Sequence, residues 1–318
     1  MRIISAEEVE AALTWPEVME IVKNAMMEVS KGNIIAPQRT MMPIDGPNGM
    51  GIMPGGMQNP PVHGIKLISL YPDNPKKGLS SHQGLMVVFD SKTGTPIAGL
   101  DAGALTALRT PAASVAATCV LARKNSEIFT IIGTGEQAHR HVEAFLACTD
   151  AKEIRIWGRR YDAAKALVER LQSVNPAASI VHAVEGVQQA VAGADVITCV
   201  TAAPSPILKG AWLEPGQHVN LVGSSIRKFR EIDAEGVSKL RYFVDSRDSA
   251  SSQAGEYLDE LENGTIGTDY IISEIGDVFS GDVEGRLNED EITGYKSLGV
   301  AAQDLSVSWT IVQKLGLA

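Results

Sequence analysis

Cysteine is scarce in this chain, and its three thiols lie far apart. The 318 residues include only Cys119, Cys148 and Cys199. Disulfide frameworks and zinc sites need several cysteines at close and regular spacings. The sequence therefore predicts no disulfide framework and no metal site, and we expect the thiols to pack as small apolar side chains.

Long apolar runs and clusters of basic residues are also lacking. No run of about 18 apolar residues is available to cross a bilayer. The start MRIISAEEVEAALTW lacks the basic and then apolar order of a signal peptide, because Glu7, Glu8 and Glu10 interrupt it. We therefore expect a cytoplasmic protein with no membrane partner. The net charge of −10 argues against nucleic acid, since binding its backbone requires clustered Lys and Arg.

The remaining composition is that of a globular protein. Hydrophobic residues make up 44% of the chain and charged residues 21%. The length suffices for two domains, at roughly 150 residues per domain. Between positions 34 and 120, six basic residues outnumber four acidic ones, a local balance of +2. A positive region in an acidic protein suits a small anionic substrate, whereas Lys76, Lys77 and Lys92 are interpreted as solvated loop charge.

The hydrophobic pattern changes twice along the chain. The capping-box spacing of Ser5 and Glu8, followed by apolar residues at helical intervals, predicts N-terminal helices. From Pro37, short runs such as HGIKLISLYP and HQGLMVVFD predict antiparallel strands. The segment AGALTALRTPAASVAATCVLA predicts a helix with a kink or restart at Pro111. After Lys124, strands and helices alternate, which indicates a parallel sheet covered on both faces.

These patterns predict an α/β fold with two domains. Residues 119–293 are expected to form a Rossmann-like doubly wound parallel sheet, and residues 1–118 and 294–318 an α+β domain. The C-terminal part joins the first domain in this prediction because the tail leaves the alternating rhythm and ends in an apolar-periodic helix from about Val300 to Lys314.

The segment FTIIGTGEQAHRHVEAF connects a predicted strand to a predicted helix. Gly133 permits a tight turn, Gly135 lets a pyrophosphate approach the backbone, and Ala138 lets helix and strand pack closely. The phosphates would lie on the helix N-terminus, which favours negative charge. Because the motif heads a series of alternating elements, we expect a dinucleotide site rather than an incidental turn. The expected cofactor-binding residues here are Gly133, Thr134, Gly135, Glu136, Gln137 and Ala138.

The end of the next predicted strand bears on the choice of cofactor. An acidic residue there would bind the ribose hydroxyls of NAD, but the sequence has Gly158, Arg159 and Arg160. Two guanidinium groups can bind a 2′-phosphate. NAD(P)H is therefore expected, with NADP(H) slightly favoured. In the alternative, one arginine stacks on adenine or faces solvent, and NAD(H) is usable.

The sequence resembles the ornithine cyclodeaminase/mu-crystallin family over nearly its whole length. The motifs that carry the resemblance are APQRTMMP, MGIMPG, GIKLISLYPDNPKKGLSSHQGLMVVFD, LDAGALTALRTPAASVAA, IIGTGEQA, VGSSIRKFREID and SLGVAAQDL. The resemblance implies a homodimer in which the α+β domain binds substrate and mediates dimerisation. It also implies that Arg39, Lys66 and Arg109 bind the substrate α-carboxylate beside the nicotinamide. Lys66 and Arg109 are the expected catalytic residues, and Lys66 is a possible proton donor.

Other positions carry weaker expectations. Thr201, Ser297 and Gly299 match family positions near the ribose and nicotinamide, so they are expected to bind the cofactor. Asp304 is interpreted only as a helix-packing or hydrogen-bonding residue. We interpret His139 and His141 as surface residues of the helix that follows the phosphate loop.

Two departures from the family pattern bear on the reaction. In the cyclodeaminase branch the position of Gly51 is a Glu and that of Ser225 is an Asp, and this chain has neither carboxylate. Without them the site lacks the expected anion for a second ammonium and the expected base for cyclisation. We therefore expect reduction of a small 2-imino acid by hydride transfer to C=N. The alternatives are an ornithine or lysine cyclodeaminase-type lyase and a non-catalytic NADPH- or ligand-binding protein.

The candidate substrates are small imino acids of three kinds. They are cyclic ketimine carboxylates such as pyrroline or piperideine 2-carboxylate, iminopropionate, and iminosuccinate. The second carboxylate of iminosuccinate would be received by Ser224, Ser225, Arg227 and His82, unless Arg227 and Lys228 lie on a solvated loop. The expected substrate-binding residues are Arg39, Lys66, Arg109, His82 and Ser225.

Overall fold

The computed structural model describes residues 1–318, apart from the side chain of Pro75. The chain divides into two units, Met1–Thr110 with Gly299–Ala318, and Pro111–Leu298. The sequence-based division, residues 1–118 and 294–318 against 119–293, stays a prediction.

The first unit contains a seven-stranded sheet in the order β1-β7-β6-β5-β4-β2, with β3 paired to β4. Its strands are antiparallel, except that β1 pairs with β7 in parallel. This confirms the predicted antiparallel strands. The elements are β1 (Arg2–Ile4), α1 (Ala6–Ala12), α2 (Trp15–Ser30), β2 (Ile34–Ile35), β3 (Thr40–Pro43), β4 (Gly49–Met57), β5 (Val62–Leu70), β6 (His82–Asp90), β7 (Pro96–Asp101), the start of α3 (Ala102–Leu121) and the C-terminal helix α11 (Ala301–Lys314).

Two features of this unit follow directly from its sequence. The capping box predicted at Ser5 is confirmed, since its side chain accepts from the Glu8 N–H and the Glu8 carboxylate accepts from the Ser5 N–H. Small residues let α11 lie close to the sheet. A Cβ added at Gly55 would be 3.2 Å from the Cβ of Ala301, and one at Gly64 would be 3.1 Å from Leu305 Cδ1. The glycines of β4 and β5 thus allow the helix to cover one sheet face.

Helix α3 runs through Pro111 without a restart, contrary to one of the two predicted possibilities. Its length and composition would allow it to cross a membrane, although Arg109 interrupts it, and 83% of its apolar window is buried inside the fold. The core helix of a soluble protein has the same properties.

The second unit contains an eight-stranded, fully parallel sheet in the order β10-β9-β8-β11-β12-β15-β13-β14. This confirms the predicted α/β fold class. Its elements are β8 (Ile128–Ile132), α4 (Glu136–Cys148), β9 (Glu153–Trp157), α5 (Tyr161–Val174), β10 (Val181–Val184), α6 (Val187–Val191), β11 (Val196–Cys199), β12 (His218–Leu221), α7 (Ala234–Lys239), β13 (Arg241–Val244), α8 (Arg247–Gln253), α9 (Gly255–Glu262), β14 (Ile271–Glu274), α10 (Ile275–Ser280) and β15 (Thr293–Lys296).

The strand order places a topological switch between β8 and β11. In open parallel sheets, ligands bind beyond the carboxyl ends of the strands at such a switch. Strand β15 pairs with β12 and β13 inside this sheet, although its sequence belongs to the tail that we expected to leave the strand and helix rhythm.

The cysteines are not all packed as expected. Cys199 is fully buried at the end of β11, as predicted, but Cys119 is exposed and Cys148 is only partly buried. The prediction was wrong for Cys119 because it lies in the last turn of α3 on a side that faces solvent.

Candidate functional site

Two buried cations in the first unit share one carboxylate. Lys66, on β5, donates from Nζ to Oδ2 of Asp304 at 2.7 Å and to the hydroxyl of Thr106 at 3.4 Å. Arg109, on α3, donates from Nε to Oδ1 of Asp304 at 3.2 Å and from a terminal nitrogen to Oε1 of Gln303 at 3.1 Å. Lys66 and Asp304 are 1% and 0% exposed. Desolvation of buried ions is offset only by partners of this kind, so α11 holds the cations in place.

Gly299 contacts a third cation, Arg39, beside this cluster. Its carbonyl accepts from Arg39 at 2.9 Å. Its φ of 80° is in the left-handed region, and a Cβ there would lie 2.5 Å from a terminal nitrogen of Arg109. Glycine is therefore required at this position. The expected role of Gly299 in cofactor binding stays a prediction, and in the first unit it contacts two of the expected carboxylate ligands.

The charge balance of this cluster favours an added anion. Burial lowers the pKa of Lys66 to about 7, with Asp304 opposing the shift and Arg109 and Arg39 adding to it. Burial alone would raise the pKa of Asp304, but Lys66 and Arg109 lower it below its ordinary value. Asp304 is thus ionised at neutral pH, whereas Lys66 can gain or lose a proton. The arrangement can bind a carboxylate and hold a proton at Nζ of Lys66.

His82 is the first residue of β6, and the charges of Lys66 and Arg109 affect its pKa. Its Nδ1 lies 2.9 Å from the hydroxyl of Ser81. The residue as a whole remains exposed to solvent. Desolvation of the ring by the surrounding protein lowers its pKa, and the positive charges of Lys66 and Arg109 lower it further. A neutral imidazole at physiological pH can donate one hydrogen bond and accept another, but it supplies no charge for a second carboxylate.

The cross-strand row next to Lys66 is apolar. Gly51 is paired in register with Met41 on β3 and with Ile68 on β5, and Ile68 is paired with Gly84 on β6. Lys66 and Ile68 are two residues apart on one strand, so they face the same side of the sheet. A Cβ added at Gly51 would be 3.2 Å from Ile68 Cγ2 and 3.6 Å from Met41 Sδ. The position that would carry a carboxylate in a cyclodeaminase therefore has apolar neighbours.

The phosphate-loop motif of the second unit has the geometry that a dinucleotide requires. Gly133 has a φ of 140°, and a Cβ there would lie 2.9 Å from the carbonyl of Val200. Gly135 is the N-cap of α4, and a Cβ there would meet no described atom within 4 Å. Ala138 is fully buried. The loop thus has a tight turn, an open helix N-terminus and a closely packed helix, which fits a pyrophosphate.

The end of β9 carries a glycine and two arginines, at the place where an acidic residue would bind the ribose hydroxyls of NAD. A Cβ at Gly158 would lie 2.3 Å from Cγ2 of Thr134, so an acidic side chain does not fit there without displacement of Thr134. Arg159 and Arg160 are both exposed, and Arg160 is the N-cap of α5. The two guanidinium groups are therefore accessible to a ligand.

The other expected cofactor and substrate residues of this unit follow neighbouring strands. Thr201 follows β11 and donates from N and Oγ1 to Oε1 of Glu231 at 2.6 and 2.8 Å. Ser297 follows β15 and is 2% exposed, and its hydroxyl has no hydrogen-bond partner among the described residues. Ser225 follows β12 and is partly buried. The carboxyl ends of adjacent parallel strands thus carry all three residues.

The profile of the ornithine cyclodeaminase/mu-crystallin family matches residues 1–316 of this chain. The chain belongs to this family. Mouse ketimine reductase mu-crystallin (Mus musculus) is 34% identical over 307 residues, which cover 95% of this chain and 93% of the mouse protein. This relation confirms the resemblance inferred from the sequence motifs.

Solved structures of family members have the same fold. Thermococcus litoralis Δ1-pyrroline-2-carboxylate reductase, in complex with NADH and L-proline, is 32% identical, with a TM-score of 0.94 and coverage of 99% of this chain and 97% of that chain. Paracoccus denitrificans iminosuccinate reductase, in complex with NAD⁺, is 26% identical, with a TM-score of 0.89 and coverage of 99% and 96%.

Several site-forming residues of this family member were missed by sequence reasoning. Asp304 is a hydrogen-bonding residue, which was one of the two interpretations, but its role as the shared counterion of Lys66 and Arg109 was not foreseen. In the second unit, Glu231, Glu256 and Lys296 form a buried polar network. Burial raises the pKa of Glu231, while Lys296 and hydrogen bonds from Thr201 oppose that shift. A single Lys in TGYKSLG was the available signal, because a lone cation in a short apolar strand must find a buried partner.

Two of the groups expected to receive a second carboxylate are engaged elsewhere. The hydroxyl of Ser224 contacts Glu256 and Lys296 inside the network. Arg227 forms ion pairs with Asp259 and Glu262. These partners make the expected contact of Ser224 and Arg227 with a dicarboxylate unfavourable.

One histidine was also misplaced. His141 is fully buried rather than on the surface, because its ring lies 2.9 Å from the hydroxyl of Ser114 on α3 and 2.7 Å from the carbonyl of Gln137. Burial lowers its pKa to about 4.

Proposed function

We propose that this protein reduces a small 2-imino acid with an uncharged side chain to the corresponding amino acid. The protein is an NAD(P)H-dependent oxidoreductase that acts on CH–NH or CH–NH₂ groups. The observation that carries the proposal is the pair of buried cations, Lys66 and Arg109, on the single carboxylate of Asp304.

The cation cluster supports binding of the substrate carboxylate. Two cations on one carboxylate leave an excess positive charge, and Arg39 adds to the field at Lys66. A substrate carboxylate would reduce this excess inside a desolvated site, where charge-assisted hydrogen bonds are strong. Arg109 can form two parallel hydrogen bonds to such a group, whereas Lys66 contributes a compact charge.

Lys66 also has the properties of a proton donor. A bound nicotinamide would supply the hydride that reduces the C=N carbon. Reduction is favoured when the imine nitrogen is protonated, and a pKa of about 7 allows Lys66 to hold and release a proton near neutral pH. Asp304, through its bond to Lys66, keeps Nζ in one position.

An uncharged substrate side chain is supported by observations in both units. In the first, the row next to Lys66 consists of Met41, Gly51, Ile68 and Gly84. In the second, Ser224 and Arg227 already have carboxylate partners. Cyclic ketimine carboxylates therefore fit better than iminosuccinate, whose second carboxylate would lack a free cation among these groups. The same row opposes ornithine, whose distal ammonium would meet apolar side chains.

The finer features of cofactor and assembly belong to the proposal as well. The exposed Arg159 and Arg160, together with the crowding of Gly158 by the Thr134 side chain, favour NADPH over NADH. The relatives of known structure include an archaeal alanine dehydrogenase dimer with bound NAD. We propose that this protein is also a homodimer.

The test is oxidation of NADH and NADPH against a panel of substrates. The panel contains pyrroline 2-carboxylate, piperideine 2-carboxylate, pyruvate with ammonia, and iminosuccinate. We expect kcat/KM for the imino acids with an uncharged side chain to exceed that for iminosuccinate by at least tenfold, about 1.4 kcal/mol. A preference for iminosuccinate would overturn the assignment of the side-chain class.

Two further results would overturn the reductase assignment. Release of ammonia and proline from ornithine without net consumption of NAD(P)H would establish a cyclodeaminase. Tight NADPH binding with no turnover of the whole panel would establish a carrier. Variants at Lys66 test its role in this reaction, and Lys92→Met is their control. Lys92 is exposed in the turn between β6 and β7, so its replacement should leave turnover unchanged.

A further inference from the structure

Glu231 connects two loops at the carboxyl edge of the parallel sheet. It lies after β12 and is fully buried. Its Oε1 accepts from N and Oγ1 of Thr201, in the loop after β11, at 2.6 and 2.8 Å. Its Oε2 accepts from N of Gly223 and N of Ser224, in the loop after β12, at 2.8 and 3.1 Å. Three of these four groups are backbone N–H groups, which can only donate, so they favour the ionised form of the carboxylate, in which both oxygens accept.

The two loops approach each other so closely that a side chain at Gly223 is excluded. A Cβ there would lie 2.0 Å from the carbonyl oxygen of Thr201 and 2.6 Å from Oε1 of Glu231. The next peptide is also fixed, because N of Ser225 donates to O of Gly223 at 3.1 Å. The positions of Thr201 and Ser225 therefore both depend on one carboxylate.

A buried ion pair holds the same segment from a second side. Lys296, at the end of β15, donates from Nζ to O of Ser224 and to Oε1 of Glu256, each at 2.6 Å, and it also contacts the Ser224 hydroxyl. That hydroxyl lies 3.1 Å from both oxygens of Glu256. Lys296, Ser224 and Glu256 are at most 2% exposed. A fully satisfied buried network of this kind fixes a single local conformation.

We propose that Glu231, supported by the Lys296 and Glu256 pair, is a positioning residue that sets the relative placement of Thr201 and Ser225 for the reaction. This inference rests on the proposed function, in which Thr201 binds the cofactor and Ser225 faces the substrate. Glu231 contacts neither ligand in this account. It acts through the two loops, and its effect is on the alignment of the reactants, which is sensitive to displacements of about 1 Å.

The deciding variant is Glu231→Gln. Glutamine has the same shape, but its NH₂ group would face donors of one loop, so one side of the connection is lost. We expect kcat/KM for the preferred imino acid to fall by about 10- to 100-fold and the affinity for NAD(P)H, measured by fluorescence titration, to fall by about threefold or more. The matched control is Glu235→Gln, four residues away on the exposed side of α7 and paired with Lys239, for which changes within about twofold are expected.

A second measurement separates positioning from a purely structural role. The ratio of kcat/KM for pyrroline 2-carboxylate to that for iminopropionate should change by about threefold or more in Glu231→Gln, because the loop that bears Ser225 moves relative to the substrate side chain. The assay is made below the unfolding transition of the variant. Loss of stability alone would reduce both values by the same factor, and that result would overturn the inference.

Ser224→Ala gives a milder test if Glu231→Gln does not fold. It removes the hydroxyl bonds to Glu256 and Lys296 but leaves the backbone bonds to Glu231, and a fall of about threefold to tenfold in kcat/KM is expected. An unchanged value would overturn the inference. If the wild-type protein reduces no imino acid, the proposed function fails, and the cofactor affinity of Glu231→Gln then decides the inference, with an affinity equal to that of the wild type contradicting it.

Discussion

Two buried lysines, one in each unit, have opposite electrostatic surroundings. Lys66 shares the carboxylate of Asp304 with Arg109, so that cations are in excess. Lys296 pairs with Glu256, and the field of Glu231 reaches the same region, so that carboxylates are in excess. Both residues are at most 1% exposed. Burial alone therefore does not mark a functional lysine, whereas an uncompensated positive surrounding indicates that an anionic ligand completes the site.

The largest effect is expected when Arg109, the cation that shares Asp304 with Lys66, is removed. Arg109→Ala should lower kcat/KM for the imino acid by about 1000-fold, roughly 4 kcal/mol, because a bidentate and desolvated carboxylate contact is lost. NAD(P)H affinity should remain within about twofold of the wild-type value. Steady-state kinetics and fluorescence titration measure the two quantities. Loss of cofactor binding with preserved substrate affinity would contradict the role of Arg109 in carboxylate binding.

A smaller effect is expected when the cluster is distorted and its charge is retained. Gly299→Ala places a methyl group 2.5 Å from the Arg109 guanidinium at a φ of 80°. We expect kcat/KM to fall by about 10- to 100-fold and the free energy of unfolding to fall by about 1 kcal/mol. Gly316→Ala is the control, since Gly316 has a φ of 66° and a Cβ there meets no described atom within 4 Å. Equal losses of kcat/KM in both variants would show that the effect of Gly299→Ala does not come from its contact with Arg109.

The arginines of the second unit should affect only the choice of cofactor. Arg159→Ala combined with Arg160→Ala should weaken NADPH by about tenfold and NADH by about twofold, because only NADPH carries the 2′-phosphate. Dissociation constants for both cofactors, measured at two salt concentrations, test this. Equal weakening would show that the two guanidinium groups do not recognise that phosphate.

The smallest effect concerns pH. Burial lowers the pKa of Lys66 to about 7, so its protonated fraction decreases as the pH rises above that value. Because carboxylate binding and proton donation need the charged form, kcat/KM should fall by about fivefold between pH 7 and pH 8, and Lys66→Arg should lack this decrease. Deprotonation of the substrate imine at higher pH also lowers kcat/KM, and this contribution is the same for the wild-type protein and for Lys66→Arg. An identical decrease in both would assign the titration to the substrate.

The same pKa also affects stability, with a defined sign. In the unfolded chain Lys66 has an ordinary pKa near 10.5, and in the folded protein it is about 7. The unfolded state therefore binds more protons between these values, and the contribution of Lys66 to stability rises with pH across this window. Below about pH 7 the group is charged in both states and its unfavourable burial is fully present.

Much of the fold could be predicted because local patterns determine it. The Ser5 capping box, the short strands after Pro37 and the GTGEQA turn are each encoded within a few neighbouring residues. The pairing of β15 between β12 and β13 could not be predicted in this way, because it joins segments that are distant in sequence.

The buried partners of the two lysines also could not be predicted, because they are distant in sequence. Lys66 meets Asp304 across 238 positions, and Lys296 meets Ser224 across 72. Nothing near Asp304 in SLGVAAQDL marks it as a counterion, and only the approach of α11 to the sheet gives it that role. His141 was misplaced for a related reason, since helical spacing alone does not show that α3 supplies Ser114 as its partner.

The comparison of the two buried lysines can be tested most directly by replacing each with methionine and measuring both stability and turnover. The free energy of unfolding of Lys66→Met should lie within about 1 kcal/mol of the wild-type value, because Arg109 still neutralises Asp304. Its kcat/KM should fall by at least about 100-fold. Lys296→Met should lose about 3–5 kcal/mol of stability, since it leaves buried carboxylates without their cation. Full activity of a folded Lys66→Met protein would contradict the proposal that its ammonium group binds the substrate carboxylate.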